Sequence, residues 1–466
     1  YFDPLTLESV SEILLRERAH GILLQFGGQT AINLALPLRD NLTHLSTLGL
    51  HLMMEGTTPD AVDEASDRER FEAFAARNGL RMPRGSIAST PEGVRQATHE
   101  IGYPVLIRPS YVLGGRGMEI LSNDKQLEVY MEEAYLAPDR PLLIDEYLGN
   151  AIELDVDAVC DGEEVLVGAI MEHLEEAGIH SGDSTCFIPP QNVPAHVLAE
   201  VEDWTRIIGV ELGIRGCYNI QFAIRDEVLH VLEVNPRGSR TFPFVAKATG
   251  VPLARIAARL ALGEKLSELN VPEPQTDAVC VKAPVFPFIK LRGLDPAPGP
   301  EMKSTGEVMG SHARPAAAYL KARLATELPV PVEGGVYITV KDGDKLAIID
   351  EARRLQDMGF TLYATRGTAH VLRDVGELDI QTCYRIAERR SPDALDLMRQ
   401  GKIQLVINTP RSSGGAVLDG NMMRRLAVEL NIPFVTTMAG ARMEVEAIDE
   451  ARRGIPEPRL LKLGSL

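Results

Sequence analysis

The chain has 466 residues, a formal net charge of −18 and 45% hydrophobic residues, which is typical of a soluble protein with more than one domain. The acidic balance argues against a broad basic surface, and no apolar run approaches the ~20 residues that cross a bilayer, so we expect neither nucleic acid nor a membrane as a partner. The five cysteines are scattered without zinc-ligand spacing, which predicts free thiols in a reducing cytoplasm. The first residues include no Met and no signal segment, so we expect the sequence to begin inside a longer protein.

Residues 1–62 have the pattern of a partial α/β unit. Helical apolar spacing over residues 5–18 precedes the buried-type strand 21–26, and Gly27-Gly28 make the turn after it. Ligands approach the carboxyl ends of strands in such sheets, so residues 25–30 are a candidate site. A Gly-Gly turn before a helix is also common without any function.

Residues 63–258 mix hairpins with helices, which predicts an α+β arrangement. A glycine-rich segment, 114–117, lies between two strands and is therefore a hairpin tip, not the turn of a P-loop. The predicted helices are 68–78 and 195–212, and the predicted strands are 103–109, 141–146, 154–160, 165–172, 216–224 and 228–234.

The rest of the chain divides in two. Residues 259–330 are punctuated by Pro and Gly and are predicted to form a mainly helical connector. From residue 331 strands and helices alternate regularly, which indicates a separate small α/β domain with a parallel sheet. The predicted strands there are 336–340, 361–364, 403–408 and 433–436, and the helices are 345–358, one from 367, 421–430 and 443–452.

The strongest chemical pattern lies at the end of the second region. Glu233, Asn235 and Arg237 are expected to form one row on a strand face, and Gln221 lies on the neighbouring strand if a turn centres near 226–227. Oxygen ligands of this kind suit Mg²⁺, while Arg237 and Arg240 add charges for a phosphate or acyl phosphate. A solvated polar face is the alternative, and the apolar neighbours of these residues argue against it.

Three further segments favour a nucleotide site. Arg108 precedes the glycine-rich hairpin, whose backbone can approach phosphates, although such tips often mean only a tight turn. The strand ending at residues 146–148 offers backbone groups to adenine, and Glu153 can accept from ribose hydroxyls. The segment 171–184 is dense in polar residues, but His173 and His180 do not have zinc-ligand spacing.

Several motifs together resemble carbamoyl-phosphate synthase large subunits. They are Phe-Gly-Gly-Gln-Thr (26–30), Arg-Pro-Ser-Tyr-Val-Leu-Gly-Gly-Arg (108–116), Met-Glu-His-Leu-Glu-Glu-Ala-Gly-Ile-His-Ser-Gly-Asp-Ser (171–184), Glu-Val-Asn-Pro-Arg (233–237) and Ser-Thr-Gly-Glu-Val-Met-Gly (304–310). The resemblance follows the carbamate-phosphorylating half and the regulatory tail, and it covers essentially the whole chain.

The resemblance implies four regions and an activity. The regions are a partial pre-ATP-grasp domain (1–62), an ATP-grasp domain (63–258), a helical connecting region (259–330) and a methylglyoxal-synthase-like allosteric domain (331–466). The activity is phosphoryl transfer from ATP to carbamate, giving carbamoyl phosphate for pyrimidine and arginine synthesis. Its implied partners are the first half of the large subunit and a glutaminase small subunit.

The resemblance also implies roles for individual residues, with ATP, Mg²⁺ or Mn²⁺ as cofactors and K⁺ as a further candidate. The metal ligands are Gln221, Glu233 and Asn235. The catalytic residues are Arg237, Arg240 and His180. The ATP contacts are Arg68, Arg108, Glu146, Leu148, Glu153, Gly178, Ile179, His180, Ser181, Gln221 and Glu233.

In the tail, the resemblance implies a site for a nucleotide monophosphate effector. Its residues are Lys345, Thr365, Thr368, Arg385, Asn408 and Thr409. The family's commoner Asn-Thr-Thr-Ser run is Asn408-Thr409-Pro410-Arg411 here, and a serine expected further on is Gly420. Some members also bind ornithine, a site that Glu175, Asp183 and Thr436 fit, but a carboxylate and a tyrosine of those members are Ala283 and Phe434 here. We therefore expect no activation by ornithine.

Two other functions are compatible with parts of the sequence. Another ATP-grasp ligase, such as a biotin carboxylase or a purine-pathway carboxylase, shares the metal pattern but not the 171–184 segment joined to this tail. A fragment that only binds nucleotide or partners is the second alternative. We expect ATP formation from carbamoyl phosphate and ADP to be weak or absent in the chain alone and restored by the upstream segment.

Overall fold

The computed structural model describes residues 1–109, 117–133, 141–288, 295–410 and 415–454. Most of the predicted glycine-rich hairpin tip therefore lies outside the described residues. Across the described ranges, no helix combines the length and apolar character needed to span a membrane.

The first unit is a small α/β layer. Thr6 and Thr58 start two of its helices, because each side chain accepts a hydrogen bond from a backbone amide of the first turn. Strands β1 and β2 pair in parallel, as the sequence predicts for this unit. The elements are α1 (Leu7–Glu17), β1 (Gly21–Leu23), α2 (Gly28–Ile32), α3 (Ala35–Thr47), β2 (Met53–Glu55) and α4 (Pro59–Ser66).

A four-stranded antiparallel sheet follows, in the order β3-β6-β4-β5. Strands β4 and β5 are antiparallel neighbours, which confirms the predicted hairpin on either side of the glycine-rich segment. The elements are α5 (Arg68–Arg77), β3 (Gly85–Ala88), α6 (Pro91–Ile101), β4 (Val105–Pro109), β5 (Glu119–Leu121), α7 (Asp124–Glu133) and β6 (Leu142–Glu146).

The largest sheet begins with the next elements along the chain. Asp226 and Glu227 both have positive φ and form the turn that the sequence predicts between its last two strands here. The elements are β7 (Ile152–Asp161), β8 (Val165–Glu176), β9 (Cys186–Ile188), α8 (Ala195–Glu211), β10 (Arg215–Arg225), β11 (Val228–Asn235), α9 (Phe242–Thr249) and α10 (Leu253–Ala261).

The connector differs from its mainly helical prediction. It contributes helix α11 (Pro315–Ala325), but also strands β12 (Val279–Val285) and β13 (Gly306–His312). These two strands complete a seven-stranded sheet in the order β11-β10-β7-β8-β9-β12-β13. Strand β12 was not predicted because nearly all its side chains are buried, so its sequence lacks the alternation typical of a strand. Pro284, which lies inside the strand, also argued against it.

The tail is a parallel α/β domain, as predicted, and its strand order is β16-β15-β14-β17-β18. Its last helix packs on α11 of the connector, where buried Glu444 accepts a hydrogen bond from Tyr319 and lies 3.2 Å from the Arg323 guanidinium. The elements are β14 (Gly335–Thr339), α12 (Ile349–Asp357), β15 (Thr361–Thr365), α13 (Arg366–Asp374), β16 (Ile380–Cys383), α14 (Ala394–Arg399), β17 (Leu405–Asn408), α15 (Gly415–Glu429), β18 (Phe434–Val435) and α16 (Met438–Arg453).

Candidate functional site

The predicted metal ligands lie on the paired strands β10 and β11. Gln221 is directly opposite Glu233, and a bulge follows Gln221. Gln221 donates from its amide nitrogen to Ser181 Oγ at 3.0 Å, so its oxygen is the atom left for a cation. Asn235 ends β11, and its oxygen accepts from Arg237 Nη2 at 2.9 Å.

The expectation that Arg237 continues the strand row is wrong. Strand β11 ends at Asn235 because Pro236 has no amide hydrogen to continue the ladder. Arg237 instead lies in a turn in which its own amide donates to the Asn235 carbonyl at 2.7 Å. The side chain still reaches the Asn235 amide, so the predicted neighbours are brought together by the loop and not by strand alternation.

Carboxylates and a histidine are buried together on β7 and β8. His173 Nε2 lies 3.2 Å from Asp155 Oδ2, and its Nδ1 lies 3.7 Å from Glu153 Oε1. Burial raises the pKa of Glu153 to about 7. Burial also opposes the charged form of His173, but Cys186 and the two carboxylates hold its pKa well above the usual value. A cationic imidazole between these acids is therefore the favoured state.

The loop between β8 and β9 carries Gly178, Ile179, His180 and Ser181, and three different parts of the chain hold it. The Gly178 amide donates to Glu153 Oε2 at 3.4 Å, and the fully buried Lys282 donates to the Ser181 carbonyl at 3.0 Å. The His180 amide donates to the Gly299 carbonyl of the connector at 2.8 Å. Lys282 was not among the residues predicted from the sequence, although a single Lys within an apolar segment was a usable signal.

The remaining predicted ATP contacts lie at the end of β6. Arg68 Nη2 is 2.8 Å from Asp145 Oδ1, and Arg108 Nε is 3.8 Å from the second oxygen of the same carboxylate. Glu146 pairs with Arg84 and Arg225, each at 3.0 Å. Leu148 is buried in a small apolar cluster with Ala151, Ala177, Ala223 and the partly buried Leu232. The predicted ATP contacts thus form two groups, one at the four-stranded sheet and one at the seven-stranded sheet.

Asp157 holds the loop that carries Arg240, a role the sequence analysis missed. The fully buried carboxylate accepts from Ser239 Oγ and Thr241 Oγ1, both at 2.7 Å, and from Asn219 Nδ2 at 3.0 Å. Burial raises its pKa to about 6, and these hydrogen bonds oppose the rise. Acidic residues at every second position of β7 were the available sequence signal.

The donor set fits a hard divalent cation. Glu233 supplies a carboxylate, and Gln221 and Asn235 supply amide oxygens, which are ligands that Mg²⁺ accepts alongside water and nucleotide phosphates. No group of three or more His, Cys, Asp and Glu side chains in the described ranges has the arrangement of a metal site. A cation at this site would therefore need ligands in addition to the Glu233 carboxylate, namely the two amide oxygens, water and nucleotide phosphates.

The predicted effector residues meet at the carboxyl edge of the parallel sheet. Thr365 ends β15, Asn408 ends β17 opposite Thr339, and Arg385 follows β16. Thr409 Oγ1 accepts from the Lys341 amide at 2.9 Å. The structure thus brings together residues that are far apart in the chain.

The first turn of α13 closes this edge. Thr368 is buried there, and the Lys345 ammonium pairs with Asp342 at 2.6 Å. A Cβ on Gly367 would lie 3.3 Å from Lys345 Nζ, so the ammonium is beside the helix start. Backbone amides and a lysine together are suited to an anion.

Arg424 connects the carboxyl edge of the parallel sheet with the connector, and it was not among the residues predicted from the sequence. Its guanidinium donates to Asn408 Oδ1 at 2.5 Å and binds both oxygens of Asp295, at 3.0 and 2.7 Å. The same connector segment contains Gly299, which accepts from the His180 amide. Arg424 is 2% exposed whereas the Asp295 side chain is 29% exposed, so this bidentate pair is shielded from solvent mainly on the arginine side.

The residues considered for ornithine have internal partners. Glu175 accepts from the Thr185 amide at 2.6 Å, and Asp183 accepts from the amides of Lys303 and Ser304, each at 2.9 Å. Ala283 is buried in β12, where it has no carboxylate to offer. The expected lack of ornithine activation stays a prediction. The fit of Thr436 to the ornithine site of other members, whose tyrosine is replaced here by Phe434, also stays a prediction.

Family models match three parts of the chain. Residues 1–64 match the carbamoyl phosphate synthase preATP-grasp domain, residues 67–269 match the carbamoyl-phosphate synthase L chain ATP binding domain, and residues 347–436 match the MGS-like domain. The carbamoyl phosphate synthase large chain, C-terminal section, of Methanocaldococcus jannaschii is 47% identical over 97% of this chain and 74% of its own length. The chain belongs to the carbamoyl phosphate synthase large chain family.

Full-length members of the family extend well beyond this chain. The carbamoyl phosphate synthase large chain of Methanothrix thermoacetophila is 48% identical over 97% of this chain, and that of Methanothermobacter thermautotrophicus is 47% identical over the same share. The matched region is 42% of each relative's length. The chain thus spans less than half of these curated relatives.

Solved structures agree on the fold. The biotin carboxylase domain of 2-oxoglutarate carboxylase from Hydrogenobacter thermophilus superposes with a TM-score of 0.55 at 19% identity, covering 70% of this chain and 79% of that one. A Campylobacter jejuni biotin carboxylase gives a TM-score of 0.54 at 15% identity, covering 69% of this chain and 77% of that one. At this identity the likeness is one of fold alone.

Proposed function

We propose that the chain transfers a phosphoryl group from ATP to carbamate, as the C-terminal part of a glutamine-hydrolysing carbamoyl-phosphate synthase large chain. The observation that carries the proposal is the contact between Gln221 and Ser181 at 3.0 Å. It joins the 178–184 loop to the Gln221–Glu233 pair, so a nucleotide held by the loop has its phosphates beside oxygen ligands and Arg237. A phosphoryl transfer site needs this combination of ligands and cations.

The chemistry depends on positioning and on charge. Gln221, Glu233 and Asn235 would hold Mg²⁺ or Mn²⁺, which neutralises phosphate charge when bound. Arg237 and Arg240 would face carbamate and the transferring group. Carbamate supplies the attacking oxygen, so the protein needs no nucleophile of its own.

His180 is suited to donate a hydrogen bond. Its Nδ1 accepts from the Gly182 amide at 3.0 Å, which leaves the proton of the neutral ring on Nε2. Burial lowers the pKa of His180, and this favours the neutral ring. We propose that Nε2–H binds a phosphate oxygen.

The nucleotide would lie between the two antiparallel sheets. Leu148 would contact the adenine, Glu153 the ribose, and the 178–181 backbone the phosphates. Buried Arg108 Nε has no hydrogen-bond partner in the described part of the chain, which suits a guanidinium that awaits a phosphate. Arg68 and Glu146 would complete this set of contacts.

The tail would bind a nucleoside monophosphate as an effector. Lys345 and the amides at the start of α13 would hold its phosphate. The other proposed contacts are Thr365, Thr368, Arg385, Asn408 and Thr409. The first half of the large chain would supply carbamate, using ammonia from a glutaminase small subunit.

ATP formation from ADP and carbamoyl phosphate with Mg²⁺ tests the proposed activity, because this direction requires only the carbamate-phosphorylating site. We compare the chain alone with the chain joined to the preceding part of a relative's large chain. We expect weak or no ATP formation from the chain alone and faster formation from the joined protein. No ATP from either protein would contradict the proposal, and full activity of the chain alone would contradict the expected dependence on upstream residues.

A carboxylating ligase is the second candidate, because biotin carboxylases share this fold, although a shared fold does not by itself indicate the reaction. The match of residues 347–436 to the MGS-like domain favours carbamoyl phosphate synthesis instead. Following ADP release with bicarbonate, biotin or carbamate separates the two. Release that depends on biotin would favour the carboxylase.

A further inference from the structure

The segment after β1 is a sequence motif that the proposed site does not use. Residues 25–30 belong to the first unit, yet they contact the loop that follows β11, about 210 positions later in the chain. Gln25 is 2% exposed, and its amide nitrogen donates to the carbonyls of Cys217 and Pro236 at 3.1 and 3.3 Å. Its backbone carbonyl accepts from the Gly238 amide at 3.0 Å.

These hydrogen bonds attach both sides of Arg237 to the first unit. Pro236 and Gly238 flank Arg237, and Gln25 binds the carbonyl of one and the amide of the other. Gly56 has positive φ, and a Cβ there would lie 2.3 Å from Gln25 Oε1. The side chain of Gln25 is therefore closely packed against Gly56, and its hydrogen bonds hold the backbone on both sides of Arg237.

The glycine turn directs a second glutamine to the same loop. Gly28 has a φ of +67°, a conformation that glycine adopts without steric cost, and a Cβ on Gly27 would meet Ala31 Cβ at 2.4 Å. The turn starts α2, and from it Gln29 Oε1 accepts a hydrogen bond from Arg237 Nε at 2.7 Å.

Gln29 and Asn235 hold the Arg237 guanidinium from two sides. Asn235 accepts from Nη2 at 2.9 Å, and the Gly238 carbonyl accepts from Nη1 at 3.3 Å. A guanidinium has five N–H donors in a rigid plane, so these three contacts fix its plane. Within the described part of the chain, two donors, one on each terminal nitrogen, remain for a ligand.

We propose that Gln29 is a positioning residue for phosphoryl transfer: it orients Arg237 toward the anionic substrate and leaves the guanidinium charge intact. This inference rests on the proposed function, in which Arg237 faces carbamate and the transferring phosphoryl group. A neutral amide suits the role because a carboxylate at the same place would form an ion pair with Arg237 and reduce its attraction for an anion. The first unit thereby contributes to the chemistry of the second.

Two substitutions separate orientation from charge. Gln29→Ala removes the acceptor, whereas Gln29→Glu keeps an acceptor and adds a negative charge. Gln96→Ala is the matched control, since Gln96 is an exposed glutamine on α6 that bonds only Glu100 in the described structure. For each protein, joined to the preceding part of a relative's large chain, we measure kcat and KM for ATP formation from carbamoyl phosphate, the Kd for MgADP, and the midpoint of thermal unfolding.

We expect Gln29→Ala to lower kcat by roughly 10- to 100-fold, as misplacement of a reacting contact does. Gln29→Glu is expected to raise KM for carbamoyl phosphate by about tenfold, the effect of losing ~1.4 kcal/mol of binding. Neither change alters the Kd for MgADP or the unfolding midpoint. Kinetics equal to the wild type in both variants, or losses of activity that follow lower unfolding midpoints, would overturn the positioning role.

Calorimetric titration with carbamoyl phosphate in the presence of MgADP separates this inference from the proposed activity. If the wild type forms no ATP but binds carbamoyl phosphate, and Gln29→Glu binds it more weakly, the activity is contradicted and the positioning role is supported. Equal binding by the wild type and both Gln29 variants, or no binding by any protein, overturns the inference.

Discussion

The two large sheets differ in whether their buried positions carry charged side chains. The seven-stranded antiparallel sheet buries Asp155, Asp157 and Lys282 among its strands, each at most 1% exposed. In the five-stranded parallel sheet the equally buried positions are apolar, for example Ile338 and Leu405. Its polar candidates occur only where the strands end.

Sheet geometry explains the difference. Helices cover both faces of a parallel sheet, so a site can form only beyond the carboxyl ends of its strands. In an antiparallel sheet successive side chains alternate between faces, and one face can carry polar groups along the length of a strand. Substitutions in the first sheet should therefore affect stability and function together, whereas in the second sheet the two effects should separate.

Asp157→Ala should give the largest effect and combine both losses. Removing the carboxylate leaves Ser239, Thr241 and Asn219 without their buried acceptor, and we expect a loss of about 3–5 kcal/mol in the free energy of unfolding. ATP formation should fall with it, because the same loop carries Arg240. Chemical denaturation and ATP formation measure the two losses, with Asp203→Ala on the exposed face of α8 as the control. An unchanged free energy of unfolding would contradict the expectation that substitutions in this sheet affect stability and function together.

Leu405→Ala should destabilise the tail by about 2–4 kcal/mol, because it leaves a cavity in a core where the side chain is fully buried. Nucleotide binding at the antiparallel sheet should not change. The unfolding midpoint and the Kd for MgADP measure these outcomes. A weakened Kd with the tail still folded would show that the two effects do not separate.

Lys345→Ala should weaken binding of a nucleoside monophosphate to the tail by about tenfold, the loss expected for one charge-assisted contact. Because the side chain lies at the sheet edge, the unfolding midpoint should not change. Calorimetric titration with purine and pyrimidine monophosphates measures the affinity. Lys402→Ala, outside the carboxyl edge, is the matched lysine control. Equal affinity in both variants would exclude Lys345 from the site.

Glu153→Gln should give the smallest effect, a change in how stability depends on pH. Burial raises the pKa of Glu153 from 4.5 to about 7 in the folded protein, so between these values the folded state binds more protons than the unfolded state. Stability contributed by this group is present below pH 4.5 and is lost as pH rises toward 7. As pH rises from 5 to 7, the midpoint of thermal unfolding should therefore fall less in the variant than in the wild type. Parallel curves would contradict this assignment.

The predictions that succeeded depend on neighbours in sequence. Gln221 and Glu233 were paired correctly because a short turn joins their strands, so their register follows from counting residues. The parallel sheet of the tail was predicted from alternating strands and helices. The two strands of the connector pair with each other, but β12 was missed because its nearly complete burial removes the alternation of a strand and because its other partner, β9, lies about 90 residues earlier.

The sequence by itself determined the family, the order of the regions and the residue types of the candidate site, because local periodicity and coupled motifs carry that information. Only the tertiary structure decided that Gln29 holds Arg237, that Lys282 holds the 178–184 loop and that Arg424 joins the carboxyl edge of the parallel sheet to Asp295. These contacts join residues 208, 101 and 129 positions apart. No periodicity or spacing rule reaches that far, since such pairs meet only after the sheets and helices have packed.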